Sequence, residues 1–466
     1  MRVTSMKRLC KITIVLVCSV LFNSITHVSA QDYPSKNEIE KIIKREVNNK
    51  RSNSISIAIL DKGKITYVNA GYPFDKRTDK ASEHTIYEIA SVSKIFTTTL
   101  LADFVIKDKI GLDDYMVDYL PDTLQFSDER IRQIQIKHLA AHTSGIPAPI
   151  SSARCEDPEQ HHKYLTFSDI FSMLETLTLA HEPGTQFDYQ NTSIALIGYI
   201  LCSIEGVTIE ELLFENVFLP MGMHNTCFDV SNQQLPKLAN AYIRPGVLVP
   251  NWEWGAAKAS GGLRSTTEDM AIGLNKLFYE NSQFSDAMRL ATRVEFDSTH
   301  FNNTAMGLGW YIADYSGRTL IGHGGTVRGF KSVIQYDVDN QRGVVVLSNS
   351  ANDIMDIAMY VLDRNINVKK YKAPKLNRVP ERIFNAMQGR YMVEVNGIED
   401  TLNLYSHSNA YFMYSCNINE TELFYKKNNS FYVPNFNCTI EFDDLRNNTY
   451  HTMKSSGNIT FIGKRL

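Results

Sequence analysis

The sequence predicts an α/β domain, built from an antiparallel sheet with flanking terminal helices and an all-α lobe, followed by a small all-β barrel or sandwich. Strand-like stretches lie near both ends of residues 31–370, whereas residues 91–300 are mainly helical, with loop signals such as "HTSGIPAP" and "ASGGLRST". From residue 383 onward the chain is rich in Asn, Tyr and Phe, and segments such as "TLNLYSHSNAYFMYS" alternate as strands do. We therefore predict a sheet-and-helix body at residues 31–370 and an all-β domain at residues 371–466.

The first 30 residues are typical of a secretory signal peptide. A basic segment from Lys7 to Lys11 precedes an apolar run from Ile12 to Phe22, and Val28-Ser29-Ala30 forms a small-residue cleavage site. The apolar run is shorter than the ~20 residues that a membrane-spanning helix needs. We therefore expect export, with cleavage before Gln31 and no transmembrane segment in the mature chain.

The body begins and ends with elements that form a sheet. Residues 37–49 place Ile39 and Ile43 on one helical stripe, and "SISIAILDKGKITYVNAGY" predicts a hairpin that turns at Lys62-Gly63. Strands return in "MGLGWYIADYSGRTLIGHGG" and "FKSVIQYDVDNQRGVVVLSNS", and "NDIMDIAMYVLDRN" predicts a last helix. The middle of the chain thus supplies a helical lobe beside a sheet, and a pocket between two such lobes is a usual place for chemistry.

The composition excludes some partners and leaves other questions open. With 43% hydrophobic residues, 21% charged residues and a net charge of −3, the chain gives no electrostatic case for binding nucleic acid. Five of the seven cysteines lie beyond the signal peptide, and Cys416 and Cys438 are the pair that export would allow to form a disulfide. No cysteine spacing predicts a zinc site, and the oligomeric state stays open.

The first motif that carries chemistry is "SVSK", in which Ser91 and Lys94 open a long apolar helix. Residues three apart lie on the same helical face, so the lysine amine can reach the serine hydroxyl. The N-terminal end of a helix also favours developing negative charge. Ser91 is thus a candidate nucleophile and Lys94 a candidate base, with a half-buried structural lysine as the alternative.

The second motif is Y-x-N, which occurs at Tyr67-Val68-Asn69, Tyr189-Gln190-Asn191 and Tyr279-Glu280-Asn281. The first copy lies within the predicted hairpin and the third follows a helix, so we interpret both as structural. The second lies in "PGTQFDYQNTSIALIG", where a Pro-Gly loop leads into an apolar helix. That position can direct Tyr189 and Asn191 into the cleft.

The third motif is His323-Gly324-Gly325-Thr326, within "GHGGTVRGF". Glycines leave the backbone of a strand open to close approach by a ligand. A backbone N–H in this segment, paired with that of Ser91, can form an oxyanion hole. A glycine-rich bulge with an incidental histidine is the alternative.

With these three motifs in this order, the chain resembles the serine β-lactamase and penicillin-binding-protein superfamily. The connecting segments "GLDDYMVDYLP", "IQIKHLAAHTSGIP", "GGLRSTTEDMA" and "GLGWYI" are similar to the class C β-lactamase and D-alanyl-D-alanine carboxypeptidase branch, which includes esterases and D-aminopeptidases. The resemblance covers about residues 35–365. It implies a β-lactamase-like fold for that part of the chain.

The resemblance also implies roles for the residues that match the motifs. Ser91 would be the nucleophile, and Lys94 the neighbouring base, whose pKa burial lowers. Tyr189 would carry the proton towards the leaving group, and Asn191 would hold the substrate amide. Neither a metal nor an organic cofactor is implied.

On the strand, His323, Gly325 and Thr326 would bind substrate, and the N–H of Thr326 would join that of Ser91 in the oxyanion hole. His323 departs from the class C β-lactamases, in which a lysine of a K-T-G motif occupies this position. The H-x-G form is more like the DD-peptidase, D-aminopeptidase and esterase members, which argues against strong β-lactam hydrolysis. We interpret Arg328 as an exposed structural arginine, with a cation for a substrate carboxylate as the alternative.

Other conspicuous side chains are given structural interpretations. His138 and His142 have the spacing of a zinc-protease pair, but "HLAAH" lacks the general-base glutamate, so we interpret that helix as a scaffold. His161-His162 lies in a polar stretch that predicts a surface loop, with a position near the cleft as one interpretation. Trp252 and Trp254 are interpreted as packing residues, with a wall of the substrate groove as the alternative.

Together these observations predict an exported serine hydrolase that forms an acyl-enzyme on Ser91 and acts on amide bonds of D-amino-acid peptides or β-lactams. Esterase activity, or non-catalytic binding of peptidoglycan or peptides, is the alternative. One N-x-S/T sequon contains Asn191, where a glycan would block the site, so we expect a bacterial host and a periplasmic or secreted location. The all-β domain resembles the lipocalin-like barrels appended to some of these hydrolases; covering the cleft, contacting a partner and stabilising the body are its possible roles.

Overall fold

The computed structural model describes most of the chain from Tyr33 to Leu466. The described residues are 33–75, 79–147, 160, 162–279, 281–297, 304–373, 379–395, 398–407, 410–414, 421–427, 429–433, 438–446, 449–457 and 462–466. The predicted signal peptide lies outside them, so its cleavage stays a prediction, as do the domain boundaries. Cys438 is buried and has a free thiol, whereas its predicted partner Cys416 lies outside the described residues.

The strands divide into a set within the body and a set within the C-terminal domain. The body strands are β1 (Ser54–Asp61), β2 (Lys64–Gly71), β3 (Tyr87–Glu88), β4 (Ala241–Arg244), β5 (Val247–Val249), β6 (Arg264–Ser265), β7 (Thr304–Met306), β8 (Tyr311–Tyr315), β9 (Arg318–Val327), β10 (Phe330–Asp337) and β11 (Arg342–Ser348). The C-terminal strands are β12 (Gly389–Val395), β13 (Ile398–His407), β14 (Ala410–Tyr414), β15 (Thr421–Lys427), β16 (Ser430–Val433), β17 (Cys438–Arg446), β18 (Thr449–Gly457) and β19 (Ile462–Arg465).

The α-helices lie at both ends of the body, throughout its middle and before the C-terminal strands. They are α1 (Lys36–Asn48), α2 (Ser93–Ile106), α3 (Ile136–Ala140), α4 (Phe167–Thr176), α5 (Asn191–Glu205), α6 (Ile209–Leu213), α7 (Leu219–Met221), α8 (Lys258–Gly261), α9 (Thr267–Phe278), α10 (Ser285–Ala291), α11 (Met355–Leu362) and α12 (Glu381–Met387).

The main sheet joins the two ends of the body. Its seven strands are antiparallel and run in the order β2-β1-β11-β10-β9-β8-β7. The predicted hairpin is present, and its turn residues Lys62 and Gly63 have φ angles of 48° and 82°, the left-handed conformation that a tight turn requires. In β1, Ile57 packs in the core shared with α1 and α11, whereas its neighbour Ala58 faces the core of the helical lobe. Both faces of the sheet are therefore covered.

The helical lobe is organised around α2. Every residue of this helix from Ser93 to Ala102 is buried, and a helix that is apolar on all sides belongs inside a domain. α5 and α8 pack against it, and two small sheets, β3-β6 and β4-β5, complete the lobe. The predicted architecture of an antiparallel sheet, flanking helices and an all-α lobe is confirmed.

The C-terminal domain is a closed barrel. Strands β12 to β19 pair in sequence, and β12 also pairs with β19, which closes an eight-stranded antiparallel barrel. The sequence predicted either a barrel or a sandwich for this domain, and the structure shows a barrel. Its core, which includes Tyr391, Phe431 and Phe442, is a hydrophobic cluster distinct from those of the body.

No single helix in the described part of the chain has both the length and the hydropathy to cross a membrane. The segments Asn191–Glu205 and Ile209–Met221, which meet at an angle of 87°, pass that test together by length and composition alone.

Candidate active site

Ser91 lies in a single turn of 3₁₀-helix, residues 90–92, which leads directly into α2. The residue before it, Ala90, has a φ of 47°, a strained conformation of the kind that accumulates at functional sites. Ser93 Oγ holds this turn by donating to the Ala90 carbonyl at 2.6 Å and accepting the Leu263 N–H at 3.1 Å. Ser91 remains partly exposed while its neighbours are buried. The sequence predicted the helix, but not the strained turn before it.

Lys94 reaches back to the serine from the first turn of α2. Its Nζ lies 3.1 Å from Ser91 Oγ, 2.7 Å from Asn191 Oδ1 and 2.8 Å from the Ser260 carbonyl oxygen. The side chain is fully buried, and burial holds its pKa well below the ordinary value of 10.5. A neutral amine has two N–H donors and one lone pair. Asn191 and Ser260 can accept both N–H bonds, which leaves the lone pair for the hydroxyl proton of Ser91.

The second Y-x-N copy is the one that the structure brings to Ser91. Asn191 is the first residue of α5, and the ring centre of Tyr189 lies 4.8 Å from Lys94 Nζ. The Tyr189 hydroxyl is close enough to Ser91 to interact with it, and burial raises the pKa of Tyr189, so this phenol is protonated at neutral pH. By contrast, Tyr67 lies in β2 and Tyr279 follows α9.

His142 positions this segment, a role that its spacing from His138 did not suggest. Its φ of 57° is left-handed, and its Nδ1 accepts the Gln190 N–H at 3.1 Å. The His142 and Tyr189 rings lie 4.5 Å apart. Within the described residues, no group of three or more His, Cys, Asp and Glu side chains is arranged to hold a metal ion. Imidazole packing against the tyrosine ring therefore accounts for this histidine.

β9 brings the glycine-rich motif directly against the Ser91 turn. A Cβ on Gly325 would lie 2.3 Å from both the Ile89 carbonyl oxygen and Ser332 Oγ, and 3.1 Å from the Ser91 nitrogen. Only glycine permits this approach. Ser332 Oγ donates to the Ile89 carbonyl at 2.6 Å, which fastens β10 to the same turn. The next residue, Thr326, lines the same cavity as Ser91, as an oxyanion hole made from these two residues would require.

His323 is buried between aromatic rings on the same strand. Its Nδ1 lies 2.6 Å from the Gly324 carbonyl oxygen, to which it donates, and its ring centre is 5.1 Å from that of Tyr311. Burial, reinforced by the nearby Lys94, lowers the pKa of His323 to about 3. The imidazole is therefore uncharged at neutral pH and supplies no fixed positive charge.

The cations nearest to the motif come from β10 and the turn before it. Lys331 pairs with Thr326 across the strands and its Nζ donates to Thr326 Oγ1 at 2.6 Å. Arg328 also lines the cavity, but it is only 6% exposed, so our expectation of an exposed arginine is wrong. The reason is tertiary: its guanidinium lies 5.6 Å from the ring of Phe412, which belongs to the barrel.

A cavity of about 930 Å³ opens in front of Ser91. Tyr189, Asn191, His323 and Thr326 line it, so the predicted residues converge on one space. Trp252, Trp254 and His162 also line the cavity, and the His162 and Trp254 rings stack at 5.1 Å. The tryptophans thus fit the alternative of a wall of the substrate groove rather than the packing interpretation, and His162 lies at the cleft, as one interpretation of its loop allowed. His161 lies outside the described residues.

Comparisons with known proteins bear on the family and the fold. The beta-lactamase family model matches residues 39–361. The protein Flp of Staphylococcus aureus strain N315 is 26% identical over 348 residues, which cover 72% of this chain and 68% of Flp. The octameric penicillin-binding protein homologue from Pyrococcus abyssi has a TM-score of 0.64 at 22% identity, covering 92% of this chain and 100% of that one. The β-lactamase/D-alanine carboxypeptidase from Pseudomonas syringae has a TM-score of 0.63 at 18% identity, covering 72% and 100%.

Proposed function

The chain belongs to the beta-lactamase family, and from that premise we propose that it is an exported serine hydrolase that forms an acyl-enzyme on Ser91. Its substrates are amides of D-amino-acid peptides or β-lactams. The observation that carries this proposal is the contact of 3.1 Å between Ser91 Oγ and a fully buried lysine amine. Export to the periplasm or medium is supported by the signal-like pattern of residues 1–30.

The proposed reaction begins with proton transfer. Neutral Lys94 accepts the Ser91 hydroxyl proton as the oxygen attacks the substrate carbonyl carbon. The N–H groups of Ser91 and Thr326 stabilise the oxyanion of the tetrahedral intermediate. The C–N bond then breaks as Tyr189 gives its hydroxyl proton to the leaving amine and takes up the proton held by Lys94, so that Lys94 is again neutral and Tyr189 again protonated.

Deacylation reverses the roles of the groups. Water attacks the Ser91 ester and its proton passes to neutral Lys94; the bond from the acyl carbon to Ser91 Oγ then breaks as Ser91 regains that proton, and the acid leaves. Asn191 Oδ1 is already engaged by Lys94, so the Asn191 NH₂ group remains available to donate to a substrate carbonyl oxygen.

Uncharged His323 bears on the choice among substrates. A lysine at this position would place a permanent cation beside a substrate carboxylate, whereas the pKa of about 3 leaves His323 neutral. The preference for peptidase over β-lactamase activity rests on the resemblance of the H-x-G form to the peptidase members. Esterase activity is the second candidate, because a neutral ester needs no cation at this position.

Intact-protein mass spectrometry with benzylpenicillin tests the proposal, with Ser91→Ala as the matched control. A stable adduct on Ser91 that is absent from the variant would support a penicillin-binding peptidase. Ser91-dependent consumption of penicillin without an adduct would support a β-lactamase. If penicillin does neither, a fluorophosphonate probe decides: Ser91-dependent labelling supports an esterase or D-aminopeptidase, and no labelling supports a non-catalytic binding protein.

A further inference from the structure

We propose that strand β15 of the C-terminal barrel forms the end wall of the catalytic cleft and thereby limits the length of substrate that reaches Ser91. This inference rests on the proposed serine hydrolase function, because it concerns the same cavity. Glu422 and Phe424 of β15 line that cavity together with Ser91. The linker residues Tyr371 and Lys372, which precede the barrel, line it as well.

The strand geometry explains why these two barrel residues face the cleft. Successive side chains of a strand point to opposite faces. Leu423 lies in the barrel core, so its neighbours Glu422 and Phe424 face outward. On the adjacent strand β14, Phe412 pairs with Glu422 and shares its outward face. The side of the barrel that carries these residues is therefore the side turned towards the body.

An ion pair holds this side of the barrel against the body. Arg244 Nε of β4 donates to both carboxylate oxygens of Glu422, at 2.8 and 3.1 Å. Their side chains are only 19% and 9% exposed, so the pair is largely shielded from solvent. A buried charge is costly when its partner is missing, which makes the pair a strong determinant of how the barrel docks.

Apolar contacts add to the same interface. Val247 of β5 forms a hydrophobic cluster with Ala410 and Phe412 of β14. Phe412 also lies beneath the Arg328 guanidinium, and Arg328 follows β9 by one residue. The barrel thus contacts the turn that immediately follows the proposed substrate-binding strand.

A second cavity adjoins the catalytic one at β15. This cavity has a volume of about 770 Å³ and lies between α12 and the barrel, lined by Phe384, Tyr411 and Tyr425 among others. Arg244, Glu422 and Phe424 line both this cavity and the catalytic one. We infer that the phenyl ring of Phe424 and the Arg244–Glu422 pair separate the two cavities. A long substrate bound at Ser91 would therefore clash with these side chains.

Phe424→Ala is the variant that opens the partition with least damage. Its side chain faces outward and is partly exposed, so its removal leaves the barrel core and the Arg244–Glu422 pair in place. Tyr432→Ala is the matched control. Tyr432 pairs with Phe424 across the strands and is likewise outward-facing and partly exposed, but it is not among the residues that line either cavity.

The experiment measures the labelling rate of Ser91 by two fluorophosphonates that share one reactive group and carry a short or a long alkyl chain. We expect the full-length protein to react about tenfold faster with the short probe. Phe424→Ala should bring the two rates to within about twofold by raising the long-probe rate, whereas Tyr432→Ala should keep the original preference. Thermal unfolding checks that each variant folds, and Phe424→Leu replaces Phe424→Ala if the latter does not.

Three results would overturn the inference while leaving the hydrolase proposal intact. The first is an equal labelling rate for the two probes in the unaltered protein. The second is a Phe424 variant that keeps the preference for the short probe. The third is a Tyr432 variant that loses this preference to the same extent as the Phe424 variant. If neither probe labels the unaltered protein above the level of Ser91→Ala, the serine hydrolase proposal itself fails. The inference about substrate length then fails with it.

Discussion

Replacing Lys94 with methionine should slow acylation of Ser91 by about 10³-fold, the middle of the range for losing a general base, which corresponds to ~4 kcal/mol of barrier. Methionine matches the length of the lysine side chain and suits a buried site, but it has no lone-pair nitrogen to accept the hydroxyl proton. The loss should be large because the Lys94 amine lies 3.1 Å from Ser91 Oγ and is the group that we propose accepts its proton.

The fold should survive this change. The substitution deletes hydrogen bonds to Asn191 Oδ1 and the Ser260 carbonyl oxygen, each worth ~1 kcal/mol, and leaves the buried carbonyl oxygen less satisfied. It also removes the cost of burying an amine in a fully enclosed site. We therefore expect the free energy of unfolding to change by less than ~3 kcal/mol.

The assay is the rate of Ser91 labelling by a short fluorophosphonate between pH 5 and pH 10. The neutral amine is the active form, so the rate in the unaltered protein should rise with pH through the lowered pKa of Lys94. Lys94→Met should lose both the rate and this rise. Lys372→Met, which removes an exposed cation from the same cavity, should retain both. A folded Lys94→Met protein that keeps more than about a tenth of the labelling rate would refute Lys94 as the base.

Three further predictions follow from the site. Tyr189→Phe should slow the acylation of Ser91 by benzylpenicillin, whose leaving group is an amine, by about 10²-fold with little change in unfolding, because only the phenol hydroxyl is lost; an unaltered rate of adduct formation or penicillin consumption would rule out proton transfer through this phenol. Gly325→Ala should reduce labelling by more than about 10²-fold, because the new Cβ would lie 2.3 Å from the Ile89 carbonyl oxygen and displace β9 from Ser91; a fully active variant would exclude the proposed oxyanion hole. Glu88 is buried beside Arg264 and Asn251, and burial raises its pKa from 4.5 to about 7. The folded protein therefore retains the Glu88 proton at pH values where the unfolded chain has lost it. The stabilisation is fully present below pH 4.5 and is lost as the pH rises to about 7. Urea unfolding at several pH values should show Glu88→Gln with a flatter pH dependence than the unaltered protein, and identical slopes would contradict the assignment.

Much of the fold and the candidate site could be predicted from local patterns. The contact between Ser91 and Lys94 depends only on residues three apart at the start of a helix, a geometry that neighbouring residues determine. The hairpin pattern likewise predicted paired strands in the body, and alternation predicted an all-β C-terminal domain. The resemblance then placed Tyr189, Asn191 and the glycine-rich strand, and the structure brings these residues to one cavity.

Only the tertiary structure decided the features that depend on contacts between distant segments. Arg328 is buried because a barrel strand 84 positions later along the chain places Phe412 beneath it. Trp252 and Trp254 face the cavity because of the way the lobe folds around Ser91, and no spacing in the sequence encodes that direction. The partition at Phe424 has the same origin. Local sequence sets which residues can share a helix or strand face, whereas the packing of whole domains sets which of those faces meet at the site.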